Sequence, residues 1–171
     1  MKKLCCGFVA LVMVAGIGSS RAADVQGEGK ITVAPAGVNL GANTQKTTWL
    51  TSFSDAKAEA AKRKVPILAD FSGSDWCGWC KKLDREVFST PAFKNYAAKN
   101  LVLLLVDFPQ MKKQTDAVKK QNGQMQEQYG VNGYPTVILM DAEGKVLGQT
   151  GYQPGGGDAY VTHLKDLLNK K

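Results

Sequence analysis

Residues 65–82, VPILADFSGSDWCGWCKK, join an apolar run to a pair of closely spaced cysteines. Residues 65–71 are apolar enough to predict a buried strand. A Ser/Gly loop follows, and a helix is predicted to begin at or near Cys77. The segment therefore predicts a strand, a loop and a helix, with the motif Cys77-Gly78-Trp79-Cys80 where the helix starts.

Two cysteines separated by two residues at a helix start are suited to reversible disulfide formation. Unpaired backbone N–H groups and the helix dipole stabilise a thiolate at the first position. Cysteines so placed have thiol pKa values lowered from about 8.5 to roughly 3.5–7.5. Lys81 and Lys82 add positive charge nearby, whereas Asp75 opposes it. Cys77 is therefore the predicted attacking thiolate, and Cys80, one turn into the helix, is predicted to resolve the mixed disulfide.

A zinc half-site and a permanent structural disulfide are two other interpretations of this pair. A zinc site needs further ligands, but the sequence has no second CxxC and a single histidine, His163. A disulfide between such near neighbours closes a very small loop and removes little chain entropy. The pair is therefore predicted to be redox-active, and no metal site is predicted.

The first 22 residues have the layout of a secretory signal peptide. Lys2 and Lys3 form a positive start, residues 4–17 are almost uniformly apolar, and small residues precede a cleavage point predicted after Ala22. The alternative is a retained membrane anchor. The apolar run has 14 residues, fewer than the roughly 20 needed to span a bilayer as a helix. We therefore expect an exported protein, periplasmic or secreted, with no stable membrane span after cleavage.

Signal cleavage changes the cysteine count. Cys5 and Cys6 lie in the removed segment, so the mature chain keeps Cys77 and Cys80 alone. An exported chain with a single close pair lacks the many-cysteine framework of small disulfide-stapled domains. This count agrees with a chemical role for the pair.

Composition predicts one mildly basic domain. Loss of three basic residues with the signal lowers the formal net charge from +7 to +4. The remaining lysines are scattered, so a nucleic-acid partner is not predicted. Residues 23–46 are rich in Gly, Ala, Thr and Asn and are predicted to be a linker or a loosely packed N-terminal extension. Residues 47–171 are predicted to be the folded domain.

The element order predicts an α/β fold with a central mixed sheet flanked by helices. The predicted strands are 48–53, 65–71, 101–108, 135–140 and 145–150. Predicted helices are 55–64 capped by Ser54, 77–99 interrupted at Pro91, a segment within 110–129 broken at Asn122-Gly123, and a final helix capped by Asp158. The early strands are expected to be parallel with right-handed crossovers, and the last two to form an antiparallel hairpin. Sites in such sheets gather beyond the carboxyl ends of the central strands, where Cys77 is placed.

Two separate motifs resemble those of the thioredoxin superfamily. Asp70-Phe71 followed by Trp76-Cys77-Gly78-Trp79-Cys80-Lys81 is similar to the active-site segment of that family. The later sequence Tyr129-Gly130-Val131-Asn132-Gly133-Tyr134-Pro135-Thr136 is similar to its second signature, which ends in a cis-proline. The resemblance implies a thioredoxin-like fold from about Trp49 to the C-terminus.

The resemblance also implies roles for individual residues. Pro135 is expected to be cis, to face the disulfide and to present an extended substrate, and Tyr134 to shape substrate choice. Asp70 matches the buried acid that assists proton transfer at Cys80, and burial should raise its pKa. The substrate surface implied by the resemblance comprises Trp76, Gly78, Trp79, Tyr134 and Pro135.

The sequence departs from ordinary thioredoxin in places. Trp79 replaces the proline usual between the cysteines, and Leu103 stands where a lysine often partners the buried acid. The segment of residues 109–128 is also longer than its counterpart in ordinary thioredoxin. These differences favour an exported thioredoxin-like branch over a housekeeping thioredoxin.

Together the sequence predicts an exported thiol–disulfide oxidoreductase that exchanges disulfides with protein substrates. Reduction or general exchange is favoured over strong oxidation, and a reductase would need a membrane or periplasmic electron donor. No small-molecule cofactor is implied, because Cys77 and Cys80 are themselves the redox group. The alternative is a thioredoxin-fold module that binds extended peptides without turnover.

Overall fold

The computed structural model describes residues 48–170. The predicted signal peptide, residues 1–22, and the predicted linker, residues 23–46, lie outside the described residues. The folded domain predicted from residue 47 onward is the part described below.

Five strands form one mixed sheet, as predicted. They are β1 (Trp49–Leu50), β2 (Ile67–Ser72), β3 (Val102–Asp107), β4 (Thr136–Met140) and β5 (Val146–Thr150). Their order across the sheet is β1-β3-β2-β4-β5. β3 is parallel to both β1 and β2, whereas β4 is antiparallel to β2 and to β5. The central strand β2 therefore leads directly to the cysteine motif.

The helices lie on both faces of the sheet. They are α1 (Phe53–Arg63), α2 (Gly78–Leu83), α3 (Pro91–Asn100), α4 (Asp116–Gln128) and α5 (Gly156–Asn169), and a π-helical segment, Asp84–Phe88, continues α2. Successive side chains of a strand point to opposite faces. Leu68 of β2 accordingly packs with residues of α2, α3 and α5, whereas Phe71 packs with residues of α1 and α4.

Two predicted helix starts are wrong. α1 begins at Phe53, because the Ser52 side chain accepts the Asp55 N–H at 3.3 Å and acts as the cap in place of Ser54. This earlier start shortens the first strand. α5 begins at Gly156 after Gly155, whose φ of 109° favours glycine, and Asp158 lies in the first turn instead of capping it.

The predicted break at Asn122-Gly123 is also wrong, because α4 runs through it. Asn122 is 1% exposed, and its side-chain amide donates to the Asp107 carbonyl at 2.8 Å. This buried bond holds α4 against the end of β3. The interruption at Pro91 is confirmed: Thr90 caps α3, which begins at Pro91.

Candidate active site

Cys77 follows the carboxyl end of β2 and forms the N-cap of α2. Its N–H donates to the Gly73 carbonyl at 2.8 Å, which closes the loop between strand and helix. Cys77 and Cys80 are joined by a disulfide, and both are buried. The predicted helix start and the predicted position beyond β2 are therefore confirmed.

The backbone of α2 is arranged to support negative charge on Cys77. The N–H groups of a helix's first turn have no partner within the helix, and that of Cys80 donates to the Cys77 sulfur at 3.1 Å. When the disulfide is reduced, the same donor and the helix dipole favour a thiolate at this position. Cys80 lies within α2, and its sulfur is bonded to the sulfur of Cys77.

A carboxylate from β3 holds the loop that precedes the motif. Asp107 accepts the Ser74 N–H at 2.8 Å and the Ser74 hydroxyl at 2.6 Å, one bond to each oxygen. Sequence reasoning missed this residue. Its available signal was a charged residue at the end of an otherwise apolar strand.

A second carboxylate, that of Asp75 in the loop before Cys77, binds the backbone of residues 110–112. Asp75 accepts the backbone N–H groups of Gln110, Met111 and Lys112 at 3.0, 2.8 and 3.0 Å. These bonds hold the pKa of Asp75 below its usual value. Asp75 therefore keeps the negative charge expected to oppose the positive potential at Cys77, and its oxygens are held by the amides of another loop.

Replacing Asp75 with asparagine should release the 110–112 loop. A neutral amide has a single acceptor oxygen and loses the charge-assisted character of the three bonds. We expect severalfold faster hydrogen exchange at the amides of Gln110, Met111 and Lys112 in Asp75→Asn. Asp116→Asn, which changes an exposed acid at the start of α4, is the matched control. Unchanged exchange in Asp75→Asn would show that the loop is held by other contacts.

Trp76 and Tyr134 lie together beside the motif. The Trp76 indole N–H donates to the Phe108 carbonyl at 2.8 Å, and its ring meets Tyr134 edge-on at 5.8 Å between centroids. Tyr134 also packs on Phe108, at 5.2 Å. The Tyr134–Pro135 peptide bond is cis. Trp76 nevertheless remains 41% exposed, so one aromatic surface is open to a ligand.

Gly73 leaves the space that the Trp76 ring occupies. A Cβ at position 73 would come within 2.7 Å of the Trp76 indole nitrogen. We expect Gly73→Ala to displace the ring, break its bond to Phe108 and lower kcat/KM for protein disulfides, with a shift in tryptophan fluorescence. Gly123→Ala is the control, because nothing lies within 4 Å of a Cβ there. Normal fluorescence and normal kcat/KM in Gly73→Ala would contradict this role.

On the other side of the motif, Trp79 contacts an aromatic residue that sequence reasoning missed. Its ring is 58% exposed and lies 5.4 Å from that of Tyr152, between centroids. The Lys82 ammonium lies 4.9 Å from both ring centroids. Tyr152 follows β5 directly after Gly151, and nothing in its sequence context links it to position 79.

Asp70 lies on β2 and is 6% exposed, so it is a buried acid as expected. Its Oδ1 atom is buried without a hydrogen-bond partner. Burial, together with the nearby charges of Asp84 and Asp107, raises the pKa of Asp70 to about 7, and a bond from Ser72 acts in the opposite direction. Leu103, the residue at the usual lysine position, is apolar and buried, so it supplies no compensating charge. The proton-transfer role at Cys80 stays a prediction.

Two negative observations hold for the described chain. Across residues 48–170, no three His, Cys, Asp or Glu side chains are grouped as metal ligands would be. Over the same residues, no helix has the length and apolar character to cross a membrane.

Comparisons with known proteins found a matching family model, related sequences and a similar solved structure. The model of the thioredoxin-like domain matches residues 53–165. The disulfide bond reductase DsbH of Chlamydia pneumoniae is 38% identical over 117 residues, which are 68% of this chain and 70% of that protein. The thioredoxin-related protein DsbJ of the same organism is 24% identical over 75% of this chain and 39% of its own length. A solved structure of a DsbH oxidoreductase superposes with a TM-score of 0.69 at 35% identity, covering 85% of this chain and 96% of that one.

Proposed function

Because the chain belongs to the thioredoxin-like family, we propose that it reduces disulfides of exported proteins through the Cys77–Cys80 dithiol. It is a thiol–disulfide oxidoreductase, as its relatives are, and it holds its CxxC pair as a disulfide. The observation that carries the proposal is the position of this pair, with Cys77 capping α2 and accepting the Cys80 N–H.

The proposed reaction proceeds by two exchanges. The Cys77 thiolate attacks one sulfur of a substrate disulfide, forms a mixed disulfide and releases the first substrate thiolate. Cys80, as a thiolate, then attacks the Cys77 sulfur, which closes the Cys77–Cys80 disulfide and releases the second substrate thiolate. The substrate gains two electrons and the enzyme loses two. A dithiol donor, membrane-bound or periplasmic, must return them before the next cycle.

Six further residues are assigned roles in this scheme. Asp70 takes up the proton of the Cys80 thiol as Cys80 becomes the attacking thiolate, a task suited to a carboxylate with a pKa of about 7. Pro135 and Tyr134 present the substrate chain next to the disulfide. Trp76, Gly78 and Trp79 complete the surface on which the substrate lies.

Reduction is preferred over oxidation for two reasons. The Trp76-Cys77-Gly78 context is similar to that of thioredoxin, and the relative of 38% identity is named a disulfide bond reductase. The signal-like residues 1–22 support export to the periplasm or beyond.

The test is catalytic turnover on a protein disulfide. With insulin as substrate and dithiothreitol as donor, the purified protein should accelerate reduction over many cycles per molecule. A tight complex with substrate without any acceleration would instead identify a peptide-binding module. Acceleration of disulfide formation in a reduced, unfolded protein, without insulin reduction, would reverse the proposed direction.

A further inference from the structure

Lys82 forms a cluster with two aromatic side chains beside the disulfide. Its ammonium lies 4.9 Å from the ring centroids of Trp79 and Tyr152, which lie 5.4 Å apart. Trp79 lies between Cys77 and Cys80 in the sequence, which places the cluster at the motif. The rings lie on one side of the cation and limit its hydration there, which strengthens its attraction for an anion.

The acid nearest to this cluster is already engaged. Glu86 accepts the Tyr152 hydroxyl at 2.6 Å and pairs with Arg85 at 3.3 Å. The bond from its hydroxyl to Glu86 fixes Tyr152 in place. Of the salt bridges formed within residues 48–170, none includes Lys82. The ammonium is therefore positioned by aromatic rings; Glu86 attracts it electrostatically, but no carboxylate of the described chain lies within salt-bridge distance of it.

Two other lysines near the motif also form no salt bridge within residues 48–170. Lys81 donates to the Asp75 carbonyl at 2.8 Å, and Lys112 donates to the Ser74 hydroxyl at 3.1 Å. The Asp75 carboxylate accepts three backbone N–H groups and keeps its negative charge. The oxygens of Asp75 and Glu86 thus accept bonds from other groups, whereas Lys81 and Lys112 bind neutral oxygens and, like Lys82, have no carboxylate within salt-bridge distance.

We propose that Lys82, held by Trp79 and Tyr152, binds an acidic side chain close to the cysteine of an extended substrate segment. The protein would then favour disulfides flanked by Asp or Glu, with the apolar part of the segment lying on Trp79. This inference rests on the proposed function, because it assigns substrate choice to the same site.

The test compares peptides that differ in one side chain. Three peptides carry a cysteine capped as its S-methyl disulfide, with Glu, Gln or Lys two residues away, and the reduced protein is the reductant. The second-order rate constant should be about threefold to fivefold higher for the Glu peptide than for the Gln peptide, and lowest for the Lys peptide. About 0.5 M NaCl should reduce the difference.

Variants then test whether Lys82 causes the preference for the Glu peptide. Lys82→Met, which keeps an unbranched side chain over the rings, should bring the Glu-to-Gln ratio close to one. Lys82→Arg should restore it. Lys57→Met is the matched control, since the Lys57 ammonium also lies 4.9 Å from an aromatic centroid, that of Phe53 on α1. This control should keep the ratio of the unmodified protein.

The outcomes separate the inference from the function beneath it. Equal rates for Glu and Gln peptides, both reduced rapidly, overturn the inference and leave the reductase proposal standing. A Glu preference that persists in Lys82→Met also overturns it, because another lysine would then bind the acid. Failure to reduce any peptide contradicts the proposed function itself.

Discussion

Cys77→Ser should abolish catalysed disulfide reduction, whereas Cys80→Ser should accumulate a mixed disulfide with its substrate. Cys77 caps α2 and receives the Cys80 N–H, so it carries the thiolate that begins the reaction. Without it, insulin reduction should fall to the uncatalysed rate. Without Cys80, the first exchange still occurs but nothing resolves its product, and the complex should be visible by mass spectrometry and on a non-reducing gel.

These variants require a protein without other thiols, because the full chain contains Cys5 and Cys6 as well. Both should first be replaced by serine, so that the motif supplies all the remaining thiols. This doubly substituted protein is the active control. A trapped complex in Cys77→Ser, with none in Cys80→Ser, would reverse the two assigned roles. Turnover in Cys77→Ser at the control rate would contradict the mechanism.

Asp70→Asn should stabilise the oxidised protein at neutral and alkaline pH. Asp70 has a pKa of about 7 in the fold against a reference value of 3.8, so the folded state binds more protons than the unfolded state between these values. Stability contributed by this group therefore falls as pH rises from about 4 to about 7. Removing the carboxylate should raise the free energy of unfolding by about 2–4 kcal/mol at about pH 8, and by under about 1 kcal/mol at about pH 4.

Urea unfolding of the oxidised protein at several pH values measures this difference. Asp116→Asn, which alters an exposed acid of α4, is the control and should change little. The same Asp70→Asn protein should resolve its mixed disulfide more slowly, because the residue that receives the Cys80 proton is lost. Equal or lower stability of Asp70→Asn at about pH 8 would contradict the account of a buried, unpaired carboxylate.

Sequence patterns were sufficient for the strands and for the cysteine motif because both depend on local order. The apolar runs at β2, β3 and β4 mark interior strands, and a CxxC after a strand marks the start of α2. Asp70 was recognisable as an acid inside an apolar run, although its role rests on the family resemblance.

The remaining features of the site depend on contacts between distant residues, which a pattern does not encode. Asp75 meets amides about 35 positions away, and Tyr152 meets Glu86 across 66 positions. The sequence predicts a helix break at Asn122-Gly123, but Asn122 lies within α4 and its side-chain amide donates to the Asp107 carbonyl. In each case a polar side chain bonds to a partner that the fold brings close.

The most direct test of the account is the redox equilibrium of the Cys77–Cys80 pair against glutathione. In the Cys5→Ser, Cys6→Ser protein, alkylation and mass measurement count the thiols at each glutathione ratio. We expect one reversible two-electron couple with a potential near the thioredoxin value of about −270 mV. A potential near −120 mV would contradict the proposed reductase direction, and the absence of any reversible couple would contradict the redox role of the pair.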